Sequence, residues 1–543
     1  LKFVLYDTKD TNIVDKRRKE NSDRVKRWTS PRVMILGLDG ATWTVMKPML
    51  ERGELPAIRQ LMEAGVHGPL ESLKPTVTPR IWASIDTGKV PEKHGIVDFY
   101  TANLRSLRAK AFWEILSDRG WRVGIYSWLN TWPPPVVDGF VIPGWLARTP
   151  LTHPESLDFV KRYQMEAMLR RGGMKRLASQ SRFVIHAWRH GLRFATVLRS
   201  AFSVVQEKIF RLSYKQTSLN RLVLWTYIDR DLVPALVLKF SPELLMYYTQ
   251  APDTVAHYYW KYYQPELFEG VDQEEVRRFS GAIEQVYREV DDCLAKILAS
   301  ADDETIVCCV SDHGLRAAPA GSSILTGMKV SFLADQLHLP YEVEGFKLSW
   351  ECYLRPRVRR EDDKWREELS ASLASFVVQK YKVPLFDIMP EGKRDFVGIR
   401  PSHRLTELRN IPERSSLGSL IVEHAKGQCR LGDLFVAGDR PTGEHDPEGI
   451  IVLKGPGVRE GERITASVVD VAPTLLALLG LPVGGDMDGR VIIEAIRPDY
   501  LEQHPVTTIP TYDDEATARR VGIETHEGEE LVRERLRGLG YLS

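Results

Sequence analysis

Hydrophobic positions along this chain gather into short continuous runs, separated by stretches of helical period. The clearest run comes early: residues 32–38 read Arg-Val-Met-Ile-Leu-Gly-Leu and stop at Asp39-Gly40. It shows no polar alternation, which predicts a strand buried on both faces, as in parallel sheets, ending at a functional loop. Pro56 to Gly65 reads as a helix closed by glycine. Further strands are expected at Val123–Ser127, Leu244–Thr249, Thr305–Val310 and Gly449–Leu453, with helical patterns between several of them. This alternation predicts an α/β fold, a mostly parallel central sheet sandwiched by helices. Asp470 to Pro482 reads as an amphipathic helix ended by Gly480-Leu481-Pro482.

Two stretches break the alternation. Residues 151–231 are helical in composition, and Lys161–Lys215 holds 13 Lys/Arg against two Glu. Such a block is a cap over a site, a surface for anionic partners including membrane headgroups, or a solvated helical insertion. Residues 317–438 form the second interruption, a lid or subdomain. The expected organisation is therefore a charged leader at 1–30, and core segments at 31–150, 232–316 and 439–498 around the insertions 151–231 and 317–438. A charged tail follows at 499–543, with a terminal helix at Glu529–Arg537.

Composition narrows the function. With 74 basic and 73 acidic residues the chain has no global bias toward nucleic acid, so electrostatic preference must be local. Five scattered cysteines (Cys293, Cys308, Cys309, Cys352, Cys429) have no CxxC spacing, which argues against a disulfide framework and against a thiolate zinc site. Cys308 and Cys309 sit in an apolar run, as reduced core thiols do, and this points to the cytoplasm. No uncharged run reaches the ~18 residues of a membrane span, and residues 1–30 lack the apolar core of a signal peptide.

In a parallel sheet ligands collect beyond the carboxyl ends of the strands. Asp39 follows the first strand. Asp253 and His257, spaced i, i+4, follow Leu244–Tyr248 and share one face if they enter a helix. Asp312-His313 ends the run Thr305–Val310, and His445 precedes the strand at Gly449–Leu453. Three Asp and three His suit zinc, with manganese as the other candidate, better than magnesium, because imidazole is a borderline-soft ligand. Thr78, in Pro75-Thr-Val-Thr-Pro-Arg80, offers a hydroxyl at a helix start whose free N–H groups can receive phosphate oxygens. Arg80 either contacts phosphate or forms a surface ion pair. Trp43, Trp82, Trp113, Trp128, Trp132 and Trp145 form no helical stripe and read as core anchors. The aromatic segment Tyr258–Tyr263 lines a pocket or packs behind the metal loop.

Leu36-Gly-Leu-Asp-Gly40, the Thr78-Pro-Arg-Ile-Trp82 segment running into Thr87–Phe99, Pro252–His257, Val310–Gly314 and Gly443–Gly457 stand in one order. In these motifs the chain resembles the alkaline phosphatase superfamily, and within it the type I phosphodiesterase and nucleotide pyrophosphatase branch. The resemblance implies two divalent metals, one ringed by Asp39, Thr78, Asp312 and His313, the other held by Asp253, His257 and His445. It also implies attack by Thr78, with Thr76 the alternative, through a phosphothreonine intermediate. His94 matches a motif position and is expected to pack rather than ligate. Phe99 stands where the nucleotide pyrophosphatases carry a phosphate-contacting asparagine, and Val77 stands where sulfatases need Cys or Ser. The resulting expectation is a phosphoric ester hydrolase acting on a small-molecule or lipid-headgroup ester. The competing expectations are a phosphotransferase or phosphomutase of the same superfamily, and an inactive protein that docks on membranes or partners.

Overall fold

The computed structural model describes residues 31–168, 183–184, 186–209, 212–268, 270–318, 328–337, 339–340, 342–348, 351–358, 360, 364–389, 396–410, 418–435 and 442–520. The expected leader at 1–30 and the terminal helix at Glu529–Arg537 lie outside them. The frame is an eight-stranded sheet in the order Ala466–Ser467, Gly65–Glu71, Glu448–Lys454, Ile306–Val310, Val33–Leu38, Leu244–Thr249, Val123–Trp128, Gly139–Pro143. Val33–Leu38 lies at the centre and pairs in parallel with Leu244–Thr249 on one side and Ile306–Val310 on the other. Glu448–Lys454 runs antiparallel to both of its neighbours, so the sheet is mixed but mostly parallel.

All six residues of Val33–Leu38 are buried, and successive side chains enter opposite layers. Val33 and Ile35 join Ile81, Trp82, Trp128 and Leu475, whereas Met34, Leu36 and Leu38 join Met46, Trp260, Ile283 and Leu294. This division of a period-2 strand between two cores is the α/β sandwich expected from the unbroken apolar run. Each large side chain so buried contributes about 1.5–3 kcal/mol, so a charge at Leu36 would disrupt the layer. The six tryptophans named above are all buried.

Several local expectations are corrected. The helix at Pro56 ends at Glu63, and Gly65 opens a strand, Gly65–Glu71. Its Pro69 and polar His67 hide the strand pattern, but it lies near the sheet edge, where such residues are tolerated. Gly139–Pro143, the edge strand on the other side, was likewise unexpected. The helix after Asp470 is Val471–Leu478, and all eight of its residues are buried, so it is enclosed on every side instead of amphipathic. The expected boundary at 231 falls inside the 27-residue helix Tyr214–Phe240, which packs along Ala282–Leu298 and feeds the strand Leu244–Thr249. Among the described residues the first insertion carries the helices Asp158–Met168 and Phe194–Ile209 besides the long helix. Lys161 is buried there, with its Nζ donating to the carbonyls of Pro143 at 2.9 Å and Gly144 at 2.6 Å.

The second insertion has its own core, including Leu333, Trp365, Leu369, Phe376 and Val422, beneath two four-stranded sheets. It leaves and rejoins the frame through one antiparallel pair, Gly314–Ala317 against Gly443–Asp446. The chain beyond 499 is no loose tail as far as residue 520. Thr508–Ile509 pairs with Val483–Gly484, and the buried Lys89 ammonium joins Asp486 at 2.5 Å and Asp513 at 2.6 Å.

Candidate metal centre

Asp39, Thr78, Asp253, His257, Asp312, His313 and His445 all come to the carboxyl edge of the central strands. Asp39 leaves the strand Val33–Leu38, and its N–H donates to Thr249 O at 3.0 Å. Asp253 and His257 lie on the helix Ala251–Tyr263, opened by Pro252, so the i, i+4 spacing places both side chains together: His257 Nε2 is 3.0 Å from Asp253 Oδ1. Asp312 and His313 follow Ile306–Val310, and the loop turns both inward, with His313 Nε2 3.4 Å from Asp312 Oδ2 and from Asp39 Oδ1. His445 is placed by the ladder that closes the second insertion, opposite Leu315. Its Nε2 reaches His257 Nε2 at 3.1 Å and Asp253 Oδ1 at 3.6 Å.

Two glycines permit this convergence. Gly40 has φ +66, and a Cβ there would lie 2.8 Å from Asp253 Cβ, so glycine lets the Asp39 and Asp253 segments touch. At Gly443 a Cβ would stand 2.5 Å from Ala256 O, so glycine also lets the His445 strand lie against the helix of His257.

The three imidazoles share one orientation. His257 Nδ1 faces Gly443 O at 2.8 Å, His313 Nδ1 faces Gly314 O at 3.0 Å, and His445 Nδ1 faces Thr76 O at 2.9 Å. A carbonyl only accepts, so each Nδ1 carries a proton and each ring turns its Nε2, the atom that offers a lone pair to a metal, into the cluster. Two groups of donor atoms result, Asp39 with Asp312 and His313, and Asp253 with His313 and His445, each within 4.8 Å of one another. His313 lies between the groups, a sharing that the division into two separate sets did not anticipate.

Protein donors compensate the charges in this arrangement only in part. Asp39 Oδ1 and Asp312 Oδ2 are buried without a hydrogen-bond partner among the described residues. Burial, and then the Asp253 charge, push the Asp39 carboxyl up to about 8, although the Tyr248 hydroxyl donates to its Oδ2. Burial and neighbouring Asp39 likewise raise Asp312. Burial opposes ionisation of Asp253 too, but His257 and His445 pull its carboxyl well below the usual range. His257 is raised because Asp253 overcomes the effect of burial, whereas burial and His445 hold His313 down. Three carboxylates, three Nε2 lone pairs and two orphaned oxygens in a buried space are what divalent cations require.

Thr78 opens the helix Thr78–Thr87, whose start has no side-chain cap, and its Oγ1 is 3.4 Å from His313 Nε2. Thr76 instead turns its carbonyl to His445. Arg80 is buried, and its Nη2 lies at ion-pair distance, 3.9 Å, from Oε1 of the half-exposed Glu92. His94 is a buried packing residue, bonded through Nε2 to Ser84 Oγ at 3.0 Å and through Nδ1 to Ile96 N. Phe99 is buried against Trp145. Tyr259 and Tyr262 pack on Phe279, so this part of the aromatic segment belongs to the core behind the helix.

Sequence reasoning missed Tyr248, whose hydroxyl holds Asp39, because it sits in an apolar run. It also missed Asn130, which has φ 58 just past the strand Val123–Trp128. Asn130 Nδ2 donates to Pro79 O at 2.8 Å, and its buried Oδ1 has no hydrogen-bond partner among the described residues. A polar residue two positions past a strand end was the available signal.

The family model for type I phosphodiesterase / nucleotide pyrophosphatase matches residues 33–408, well over half of the chain. The chain belongs to this family. It is thereby part of the alkaline phosphatase superfamily, and the family's matched span carries every cluster residue except His445. A shorter stretch is similar to a 2,3-bisphosphoglycerate-independent phosphoglycerate mutase of Cereibacter sphaeroides, 37% identical over 84 residues. That match spans 15% of this chain and 16% of the mutase.

Proposed function

We propose that this family member is a two-metal phosphoric ester hydrolase that works through a phosphothreonine intermediate on Thr78. The observation that carries the reading is the common orientation of the three histidines, Nδ1 on main-chain carbonyls and Nε2 toward three buried carboxylates. Asp39, Asp312 and His313 would hold one ion beside Thr78, and Asp253, His257 and His445 the other. Two divalent ions, zinc or manganese by donor chemistry, would supply charge neutralisation, a lowered hydroxyl pKa and an activated water.

The chain's own residues do the rest. The Thr78 hydroxyl, at an uncapped helix start, is directed into the site; it gives up its proton to solvent as its oxygen bonds to phosphorus and the ester P–O bond breaks, and the leaving alkoxide takes a proton from solvent. Of the first-turn N–H groups, that of Thr78 would receive a phosphate oxygen, since Pro79 has none and those of Arg80 and Ile81 donate to Val77 O. Water then cleaves the Thr78 phosphoester and regenerates the hydroxyl. Tyr248 keeps Asp39 oriented throughout.

The similarity to a mutase supports a second reading, in which an alcohol resolves the phosphothreonine instead of water. The deciding experiment measures turnover of aryl phosphate mono- and diesters with zinc or manganese, with and without alcohol acceptors. Thr78→Ala should lose turnover by several orders of magnitude while keeping its metal. Unchanged turnover would remove Thr78 as nucleophile; phosphate release without acceptor product would remove the transferase reading.

A further inference from the structure

Over its residues 194–202 the helix Phe194–Ile209 in the basic insertion has one side docked and one side bare. Thr196 Oγ1 donates to Asp231 Oδ2 at 2.6 Å, Arg193 N donates to the same oxygen at 3.0 Å, and Leu192 is buried beside them, which fixes the helix on Tyr214–Phe240. On the bare side Phe194 is 70% exposed, Leu198 53% and Phe202 60%, at four-residue spacing along one face. Trp188, just before the Gly191 turn, is 70% exposed. Large apolar side chains in this density are not ordinary surface residues.

Their surroundings select the occupant. Arg189, Arg193 and Arg199 are exposed among them, and residues 183–202 contain no Asp or Glu. Asp231 beneath Arg193, at 3.7 Å, is buried, and Arg199 lies over the Tyr227 ring at 4.4 Å. A second copy of this chain would set arginines against arginines. No described helix is long and apolar enough to cross a membrane, so an apolar stripe edged by arginine fits a helix lying in the plane of an anionic interface. We propose that this face docks on an anionic lipid bilayer, with Trp188, Phe194, Leu198 and Phe202 at the acyl-chain boundary and Arg189, Arg193 and Arg199 at the headgroups. The inference goes beyond the reaction and does not rest on it.

The test is co-sedimentation of the full chain with vesicles of phosphatidylcholine alone and of phosphatidylcholine mixed with phosphatidylglycerol, alongside sedimentation velocity of the free protein. The wild type should pellet with the mixed vesicles and be released by salt. Phe194→Ser/Leu198→Ser/Phe202→Ser should weaken binding on the order of tenfold per residue, and Arg189→Glu/Arg199→Gln about fivefold or more per charge. Circular dichroism of these surface variants should match the wild type. Absence of wild-type binding to the mixed vesicles overturns the proposal, and so does undiminished binding by the triple variant. A wild-type dimer that the triple variant dissociates assigns the face to self-association and equally overturns it.

Discussion

Asp39→Asn tests whether the cluster is built for cations, because it should shift stability in opposite directions with and without them. The substitution is nearly isosteric, and the amide oxygen can still accept the Tyr248 hydroxyl. In stripped protein the Asp39 carboxyl is pushed up from 3.8 to about 8. The folded state therefore holds this proton more tightly than the unfolded one, and the associated stability, complete below about pH 4, is lost as pH rises toward 8. One pH unit corresponds to about 1.4 kcal/mol, so at pH 8 the buried carboxyl costs roughly 5 kcal/mol, an upper figure because the site relaxes. Chelator-stripped Asp39→Asn should thus unfold at a higher temperature than stripped wild type at pH 8, with the advantage fading toward pH 4. With zinc the order should reverse, since the variant lacks one anionic donor. Thermal unfolding followed with and without chelator, with metal content by mass spectrometry, reads both halves. A stripped variant less stable than stripped wild type at pH 8, or one stabilised by zinc as much as wild type, would refute the reasoning.

Other changes probe the supports of the site. Tyr248→Phe should lower metal affinity or turnover 10- to 100-fold by releasing Asp39, as titration of zinc into stripped protein would show. Gly443→Ala should separate the His445 strand from the helix of His257; a full two equivalents of metal at wild-type affinity would contradict this. Burial raises Asp229 to about 7 even though the Tyr126 and Tyr247 hydroxyls donate to it. Wild type should therefore lose stability between about pH 4 and 7 relative to Asp229→Asn, by up to about 4 kcal/mol, and parallel pH curves would exclude it. Lys89→Met strips a buried cation from Asp486 and Asp513 and should cost about 3 kcal/mol, detectable as faster proteolysis beyond residue 499.

Continuous apolar runs marked the central strands, and the polar residues at their ends marked the candidate metal donors. Continuous apolar runs can be stable only when both faces are covered, and a polar residue at the end of such a run has few places to go except the carboxyl edge. The i, i+4 pair Asp253 and His257 needed only helix geometry to meet. Strand signals failed where the physics was weaker, at Gly65–Glu71 with its proline and histidine and at the edge strand Gly139–Pro143. Amphipathicity was wrongly expected of Val471–Leu478 because a one-dimensional pattern does not show how many neighbours will cover a helix.

How the candidate donors face one another follows from strand order and backbone direction. Val33–Leu38 lies between Leu244–Thr249 and Ile306–Val310, and this order brings Asp39, Asp253 and Asp312 to one edge. The pair Gly314–Ala317 and Gly443–Asp446 returns the chain after its long excursion and sets His445 beside His257. The carbonyls that fix each Nδ1 belong to Gly314, Gly443 and Thr76, and no side-chain identity announces a carbonyl's direction. Residue type fixes which atoms can donate to a cation; strand order and backbone direction, which are long-range properties, fix whether they converge.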